Sequence, residues 1–273
     1  MKNILITGAT GSFGSIFIKN LMIFNLAERI CVYSRGEHRQ ADLRRELHDD
    51  PRLRWFIGDV RDKARLRRAM EGIDVVVHAA ALKRIETVHY NILEAVQTNI
   101  IGTSNVVECA IDAGVDKAVL NSSDKACEPT TAYGYTKAVA EAIFQNAGAY
   151  AGRGKPYPRG TRFAITRYGN IAGSQGSVIP IWREMQANGF EVVPISDPDC
   201  TRFWMTQGEA ATLVLHAIEH TQGGDLFVPN LPAYRLGDLA EAMKVNTRII
   251  GLGNGEKLHE SMRPGEPSDK ARR

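Results

Sequence analysis

Two closely spaced groups of side chains could carry acid–base chemistry in this chain. Ser123, Asp124 and Lys125 are adjacent, and Tyr133 and Lys137 follow at the spacing of one helical turn. A tyrosine beside a lysine can remove a hydroxyl proton while a hydride leaves the same carbon, and a serine can hydrogen-bond that oxygen. A dehydrogenase needs only this set. The additional Asp124–Lys125 pair therefore predicts a redox enzyme that also eliminates water.

The tyrosine and lysine positions also predict a shifted ionisation. We expect the charge of Lys137 to lower the pKa of the Tyr133 phenol from its usual value of about 10. The alternative interpretation of the YxxxK pattern is a solvated helix face. For Asp124–Lys125, the alternative is a surface salt bridge at the end of a strand.

A glycine-rich turn follows the first apolar segment and opens the first predicted helix. Glycine permits a tight turn and close backbone approach, and the helix N-terminus presents N–H groups to a phosphate. The pattern therefore predicts a dinucleotide site, with a flexible turn alone as the alternative. The residues of this turn assigned to the cofactor are Gly8, Thr10, Gly11, Ser12, Phe13 and Gly14.

The second predicted strand ends in Ser34 and Arg35 rather than in an acidic residue. An acidic side chain there would bind the adenine ribose of NAD and repel a 2′-phosphate. Serine and arginine favour NADP over NAD, with Arg39 as a second cation; alternatively, Arg35 only stacks on the adenine. The residues after the third and fourth strands that we expect near the cofactor are Asp59, Val60, Ala79, Ala80 and Ala81.

Strand-like and helix-like periods alternate through the first half of the chain. Continuously apolar segments lie at 3–7, 30–33, 55–57, 75–77, 118–120 and 163–167. Such alternation predicts an α/β fold of the Rossmann type, a doubly wound parallel sheet that binds ligands beyond the carboxyl ends of its strands.

After residue 174 the alternation fades, which predicts a second, smaller substrate-binding lobe. We assign 1–173 to the NADP-binding domain that carries the catalytic residues and 174–273 to the smaller lobe, interleaved with the first. The Gly- and Pro-rich segment 153–160 is predicted to be a loop. The polar segment 263–273 is predicted to be a frayed end.

Composition excludes several functional classes. The chain is 44% hydrophobic and 24% charged, and its net charge of +3 is too small to indicate nucleic-acid binding. No apolar run reaches the ~18 residues of a membrane span. Met1 leads directly into a strand, so we expect no signal peptide and a cytoplasmic location. The cysteines lack metal or disulfide spacing, and His216 and His220 lack a third ligand, so we expect reduced thiols and no metal.

Several motifs together resemble one family, the C-5-inverting UDP-N-acetylglucosamine 4,6-dehydratases of the extended short-chain dehydrogenase/reductases. The resemblance covers nearly the whole chain. Its motifs are Thr7-Gly-Ala-Thr-Gly-Ser-Phe-Gly14, Tyr33-Ser-Arg35, Gly58-Asp-Val-Arg-Asp62, His78-Ala-Ala-Ala-Leu-Lys83, Ser123-Asp-Lys125, Tyr133-Gly-Tyr-Thr-Lys137, Arg167-Tyr-Gly-Asn170, Gly173-Ser-Gln-Gly-Ser-Val178, Thr201-Arg-Phe-Trp204 and Gly255-Glu-Lys-Leu-His-Glu260.

The resemblance implies a mechanism. Tyr133 and NADP⁺ would oxidise C-4 of a UDP-sugar to a ketone, which acidifies the C-5 proton. Lys125 would remove that proton, provided that burial and nearby cations lower its pKa towards neutrality. Asp124 would protonate the departing C-6 hydroxyl. Hydride would then return to C-6, and a proton would reach C-5 from the opposite face.

The resemblance also implies further binding residues and a homo-oligomer. Those assigned to the cofactor are Lys83, Asn99, Ser122 and Tyr168, together with Tyr133 and Lys137. Those assigned to the nucleotide sugar are Lys83, Asn170, Ser177, Val178, Pro194, Ile195, Thr201, Arg202 and Glu256. Arg202 would take the diphosphate as a bidentate cation, and Pro194 and Ile195 would frame the uracil. Val178 and Ile195 could instead be plain core residues.

The chain departs from the family pattern at two places. Gly253-Asn254 stands where Arg-Pro is usual before Gly-Glu-Lys, and Gln175 stands where a basic residue is common. Three other functions stay open at this point. A UDP-sugar 4-epimerase would leave Asp124 and Lys125 without a chemical step, and a 5,6-dehydratase would eliminate in another direction. A cofactor-sensing regulatory protein would keep the fold without the chemistry.

Overall fold

The structure is a computed structural model that describes residues 1–150 and 160–271. The predicted loop at 153–160 therefore lies outside the described residues except for its last position. The strands are β1 (Asn3–Thr7), β2 (Arg29–Ser34), β3 (Leu53–Ile57), β4 (Val75–His78), β5 (Lys117–Asn121), β6 (Arg162–Thr166), β7 (Asn170–Ile171), β8 (Val192–Ile195), β9 (Thr201–Met205), β10 (Asp225–Phe227), β11 (Ala233–Arg235), β12 (Asn246–Ile249), β13 (Ser261–Arg263) and β14 (Glu266–Pro267). The helices are α1 (Ser12–Ile23), α2 (Glu37–Glu46), α3 (Lys63–Ala69), α4 (Ile85–Tyr90), α5 (Ile92–Ala95), α6 (Gly102–Ala113), α7 (Ala132–Tyr150), α8 (Val178–Ala187), α9 (Gln207–His220) and α10 (Leu236–Ala242).

Seven strands form the main sheet, in the order β10-β6-β5-β4-β1-β2-β3, and all neighbours are parallel. Apolar side chains of β1 alternate between two core clusters: Ile4 and Ile6 lie in one, and Leu5 lies in the other. Helices thus cover both faces, which is why the strands are continuously apolar. The predicted Rossmann-type sheet is confirmed. Its parallel strands bring their carboxyl ends to one edge, where the candidate site lies.

The later part of the chain contributes to two places in the fold. β8 and β12 form a parallel pair, and Trp182, Val193 and Leu236 belong to its small core. However, β10 joins the main sheet, and α9 packs into the same core cluster as β1. After residue 174, segments that belong to the main sheet therefore alternate along the chain with segments that belong to the small core. The division at residue 174 stays a prediction.

Two local expectations differ from the structure. The helical pattern at 93–113 is not one α-helix, because a π-helix at Val96–Ile101 separates α5 from α6. Single π-turns are frequent at functional sites, and this one carries Asn99. The segment from residue 263 is not frayed as far as residue 271, since Ser268 is buried and hydrogen-bonded to Thr201 at 2.6 Å.

Candidate active site

Two glycines of the glycine-rich segment that joins β1 to α1 stand where a side chain would not fit. Gly8 has a φ of +65°, and a Cβ built on it would lie 2.7 Å from backbone atoms of Ala80. A Cβ on Gly14 would lie 2.6 Å from the backbone of Ala9. α1 starts directly after Gly11, which provides no side-chain cap for the helix. The turn therefore fits a dinucleotide whose phosphates accept hydrogen bonds from backbone N–H groups.

Residues from distant segments surround this turn. The backbone N–H of Gln175 donates to the Ser12 hydroxyl at 3.1 Å, which brings the segment after β7 against the glycine turn. The ring of Phe13 packs against that of Tyr168 at 5.7 Å between centroids. The Tyr168 hydroxyl donates to the carbonyl of Ala210 on α9 at 3.4 Å. The predicted residue Thr10 lies within the turn itself.

Polar residues follow β2 as the sequence predicts. Ser34 is buried, and the amide of Gln40 donates to its hydroxyl at 3.0 Å and to its carbonyl at 3.1 Å. Arg35 and Arg39 are exposed next to it. The end of β2 therefore presents two cations and no carboxylate of its own.

Of the two predicted residues after β3, Asp59 lies beside Arg35. An Nη1–Oδ2 distance of 3.6 Å joins Arg35 to Asp59. Burial alone would raise the pKa of the Asp59 carboxyl, but the hydrogen bonds from Arg61 and the charges of Arg61 and Arg35 together lower it. Val60 is buried and would meet a Cβ on Gly102 of α6 at 2.6 Å.

The segment after β4 is fixed by one amide side chain. Asn99 accepts from the backbone N–H of Leu82 at 2.8 Å and donates to its carbonyl at 2.9 Å. The same amide donates to Thr136 of α7 at 3.0 Å. Ala79–Ala81 are partly exposed, and Lys83 is exposed. Asn99 therefore positions the segment that carries the predicted cofactor contacts.

The acid–base group begins directly after β5. Ser123 caps a single 3₁₀ turn, Asp124–Ala126, and its hydroxyl donates to Asp124 Oδ1 at 2.8 Å. Lys125 Nζ lies 3.2 Å from Asp124 Oδ1. The carboxylate is almost fully buried, whereas 22% of the Lys125 side chain is exposed. The pair is therefore not a surface salt bridge. Ser122, one residue earlier, is buried.

The pKa of Lys125 differs from the expectation. Burial lowers this pKa, but the carboxylates of Asp124 and Glu260 raise it more strongly, so the net shift is upward. The expected shift towards neutrality is wrong, because the sequence showed one neighbouring carboxylate and the fold supplies a second. In the resting protein, Lys125 is therefore an ammonium.

The pKa of Tyr133 also differs from the expectation. Tyr133 is buried, and burial raises the pKa of its phenol to about 12, although the charge of Lys125 opposes this. Lys137 donates to the carbonyl of Asn121 at 2.7 Å. Burial lowers the pKa of Lys137 to about 8, against the opposing effect of Glu141. The expected lowering of the phenol pKa by Lys137 is therefore wrong: desolvation dominates both groups.

The predicted diphosphate ligand Arg202 lies near the acid–base turn and has its own carboxylate partner. The guanidinium is buried and donates to Glu256 Oε1 at 2.8 Å and to the carbonyls of Thr201 and Leu258. Thr201 is also buried, and its hydroxyl lies 2.8 Å from Nδ1 of His259.

Other predicted sugar-binding residues lie in or beside the smaller lobe. Ile195 is buried in the core cluster of that lobe, and Val178 packs against the same cluster. The Pro194 carbonyl accepts from Trp182 at 3.1 Å. Ser177 precedes α8, and its hydroxyl donates to the Ser174 carbonyl at 2.7 Å. Asn170, in β7, lies next to β9, which carries Arg202.

A family model described as "Polysaccharide biosynthesis protein" matches residues 4–272 of the chain. The chain belongs to this family. The match includes the glycine turn, the acid–base group and the segment around Glu256, so the family pattern covers every part of the site described above.

Two proteins with named activities are similar to this chain over nearly its whole length. UDP-N-acetylglucosamine 4,6-dehydratase (inverting) of Campylobacter jejuni is 43% identical over 263 residues, which cover 96% of this chain and 77% of the relative. UDP-glucose 4-epimerase of Rickettsia conorii is 39% identical over 279 residues, which cover 99% of this chain and 80% of the relative.

Two solved structures illustrate the fold that this chain shares with known proteins. Pen from Bacillus thuringiensis matches with a TM-score of 0.89 and 36% identity, over 96% of this chain and 82% of that chain. DesIV, a dTDP-glucose 4,6-dehydratase from Streptomyces venezuelae with NAD and TYD bound, matches with a TM-score of 0.83 over 99% and 91% of the two chains. Its 23% identity shows the fold alone.

Three buried charged residues of the site were not predicted from the sequence. Glu260 Oε1 lies 3.3 Å from Lys125 Nζ. Glu141 of α7 forms a buried ion pair with Arg167, which directly follows β6. A signal was present for each: Glu260 and Arg167 lie in motifs that resemble the family, and Glu141 follows Lys137 by one helical turn.

Within 1–150 and 160–271, no three or more His, Cys, Asp or Glu side chains are arranged to hold a metal ion. Across those ranges, no helix is both long and apolar enough to cross a bilayer. The four cysteines are free thiols, as expected, and all are buried.

Proposed function

We propose that this protein is an NADP-dependent 4,6-dehydratase that acts on UDP-N-acetylglucosamine and inverts C-5. The products would be a UDP-4-keto-6-deoxy-L-arabino-hexosamine and water. The observation that carries this proposal is the 3.2 Å contact between Lys125 and Asp124, in the 3₁₀ turn that directly follows Ser123 and packs against the start of α7. The 43% identity with the inverting dehydratase of Campylobacter jejuni supports the substrate.

The first step is oxidation at C-4. Tyr133 would receive the proton of the C-4 hydroxyl, and Ser123 would donate a hydrogen bond to the same oxygen. When bound, the nicotinamide would accept the hydride from C-4 and later return it at C-6. Because the phenol has a pKa of about 12, it holds its proton in the resting protein and would have to release that proton to solvent before it takes the one from C-4. Nearby positive charge lowers that pKa, and Lys125 already contributes such a charge.

The second step is elimination across C-5 and C-6, and its proton balance closes within one side-chain pair. Lys125 must be neutral to remove the C-5 proton, and Asp124 must be protonated to release the C-6 oxygen as water. The resting pair has the opposite arrangement, an ammonium and a carboxylate. Transfer of one proton over 3.2 Å produces both required forms. After elimination, the lysine holds the C-5 proton and the aspartate has lost its own, so the pair is back in its resting form. The proton that C-5 gains on the opposite face, as hydride reaches C-6, would come from solvent and balance the one that Tyr133 released.

NADP is the proposed form of the cofactor. β2 ends with Ser34 and is followed by exposed Arg35, and Arg39 stands one turn further on. A hydroxyl and a guanidinium at this position suit the 2′-phosphate of NADP, whereas NAD is favoured by a carboxylate there.

We propose that residues 174–273 contribute the sugar-binding lobe.

The proposed assembly is a homo-oligomer. The exposed apolar side chains of α5, the adjoining π-helix and α7 support the assembly: Leu93 is 78% exposed, Tyr135 57% and Ile101 43%. Monomeric proteins rarely leave contiguous apolar surface uncovered. Light scattering after size-exclusion chromatography tests this, and a monomer at micromolar concentration would refute it.

The second candidate function is a UDP-sugar 4-epimerase, which the relative from Rickettsia conorii favours. An epimerase would use Tyr133 and the cofactor to oxidise C-4 and return the hydride to the same carbon. It would give Asp124 and Lys125 no chemical step, although both are held at hydrogen-bond distance in the site.

Proton NMR of UDP-N-acetylglucosamine, NADP⁺ and the protein in D₂O tests the proposal. A C-6 methyl signal, deuterium at C-5 and L-arabino couplings are expected for inverting 4,6-dehydration. A UDP-N-acetylgalactosamine spectrum without a methyl signal would establish the epimerase. An unsaturated product without a methyl group would indicate a 5,6-dehydratase. Tight cofactor binding without turnover of any UDP-sugar would indicate the regulatory protein.

A further inference from the structure

Lys125 contacts a second carboxylate, which comes from a distant part of the chain. Glu260 Oε1 lies 3.3 Å from Lys125 Nζ, close to the 3.2 Å that separates Nζ from Asp124 Oδ1. The Glu260 side chain is only 5% exposed. Its other oxygen, Oε2, is buried and has no hydrogen-bond partner among the described residues. Lys125 is therefore the polar group that Glu260 contacts most directly.

The backbone around Glu260 is fixed by the hairpin of β13 and β14. The Glu260 N–H donates to the Ser268 hydroxyl at 3.0 Å, and the Ser268 N–H donates to the Glu260 carbonyl at 2.8 Å. Ser268 in turn is hydrogen-bonded to Thr201 of β9. A buried carboxylate held in this way costs desolvation energy unless a charge compensates it. The Lys125 ammonium compensates it in direct contact, and the nearby Arg202 guanidinium contributes a second positive charge.

Other charged and titratable groups face Lys125 from the surrounding elements. Arg202 of β9 is the second cation, and it opposes the charge of Lys125. Arg202 has its own carboxylate partner in Glu256. Tyr133 of α7 and Tyr234 of β11 are neutral phenols whose pKa values are raised by burial, an effect that Lys125 opposes. Among the residues that the structure describes, Asp124 and Glu260 are thus the anions in contact with the ammonium.

We propose that Glu260 is a positioning residue that holds Lys125 Nζ against Asp124 and strengthens Lys125 as the base for the C-5 proton. The inference rests on the proposed dehydration. When Lys125 takes the C-5 proton it becomes an ammonium, and the charge of Glu260 stabilises that product of the step. The same charge also disfavours the neutral amine before the step.

The test compares Glu260→Gln with wild type by trace acetylation of the amines and mass spectrometry. The labelling rate of Lys125 at fixed pH reports its neutral fraction, and exposed Lys2 and Lys244 serve as internal standards. An opposite charge at this distance shifts a pKa by about one unit or more, so Lys125 in E260Q should label roughly tenfold faster. Glu266→Gln is the matched control, because Glu266 lies in the same segment but is exposed and pairs with Arg263.

Activity supplies a second readout in the same variants. For E260Q we expect kcat to fall about tenfold, with KM unchanged. In the pH profile of kcat, the alkaline plateau should begin at a lower pH than in wild type. Ser268→Ala, which releases the backbone of Glu260, should change labelling in the same direction by a smaller factor. Unchanged Lys125 labelling in both E260Q and S268A would overturn the proposal. Absence of turnover in wild type would instead refute the dehydratase, and labelling would still decide the role of Glu260.

Discussion

Arg167 and Glu141 form a two-pronged ion pair inside the protein, with Nε–Oε1 and Nη2–Oε2 distances of 3.1 and 2.6 Å. The third arm of the guanidinium donates to the carbonyl of Met262 at 2.6 Å. One side chain therefore connects α7, which carries Tyr133, to β13, which directly follows Glu260.

Removal of one partner of this pair should destabilise the fold strongly. In Glu141→Gln, the buried guanidinium loses its counter-charge, so we expect the free energy of unfolding to fall by about 3–5 kcal/mol. Urea denaturation monitored by circular dichroism measures this. The control is Glu46→Gln, which removes the exposed pair with Lys19 and should cost less than about 1 kcal/mol. Equal losses in both variants would contradict the assignment of a buried pair.

Lys125→Met should separate oxidation from elimination. Methionine keeps the length of the side chain but cannot take up the C-5 proton, so we expect formation of the C-6 methyl group to slow by roughly 10²–10⁴-fold. Oxidation at C-4 should continue, so reduced nicotinamide should accumulate on the protein and be visible in its absorbance. Exposed Lys244→Met is the control. Retained turnover in Lys125→Met, with epimerised sugar as the product, would favour the epimerase.

His78 should make the fold sensitive to acid. Its ring is buried between the hydroxyls of Thr7 and Thr103, at 2.7 and 3.0 Å, and burial together with the charge of Lys137 lowers its pKa from 6.5 to about 3. The lowered pKa means that this group stabilises the fold above pH 6.5, and that the stabilisation is lost as pH falls towards 3.

The size of this effect can be measured against His78→Gln, which cannot be protonated. Between about pH 7 and about pH 4, wild type should lose roughly 3 kcal/mol more of its free energy of unfolding than the variant does. Exposed His38→Gln should follow wild type across the same range. Parallel stability curves for wild type and His78→Gln would mean that His78 takes up a proton in the fold as readily as in the unfolded chain.

Arg35→Asp should reverse the cofactor preference. A charge-assisted hydrogen bond to phosphate contributes about 1.5–3 kcal/mol, so we expect NADP to bind roughly ten- to a hundredfold more weakly. NAD should bind at least as well as before, because the new carboxylate can accept hydrogen bonds from its ribose. Isothermal titration calorimetry with both nucleotides measures the change, and Arg45→Asp on the exposed face of α2 is the control. Equal weakening of both nucleotides would exclude a specific role for Arg35 at the 2′-phosphate.

Features that depend on local pattern could be predicted from the sequence. The glycine turn was predictable because its spacing directly follows an apolar strand, and six strands of the main sheet followed from continuous apolar segments. The adjacency of Asp124 and Lys125 needed no fold at all. Each of these predictions uses residues that lie within a few positions of one another.

The ionisation of the site could not be predicted in this way. The pKa of Tyr133 depends on how deeply the start of α7 is buried, and the neighbouring sequence does not reveal that depth. The pKa of Lys125 depends on Glu260, and that contact forms only because a polar segment, expected to fray, folds back as β13 and β14. Glu260 could be recognised as part of a motif, but its contact with Lys125 could not be predicted.

Gly134 makes backbone-to-backbone contact between the two catalytic elements. A Cβ built on this residue would lie 2.4 Å from the carbonyl oxygen of Lys125, so α7 rests directly on the 3₁₀ turn. The backbones that carry the redox and the elimination groups are thus packed together, so that neither can move without the other. The side chains at 124 and 125 can therefore be replaced to change the chemistry while the main chain stays as it is. Active-site redesign of this protein should begin with those two positions.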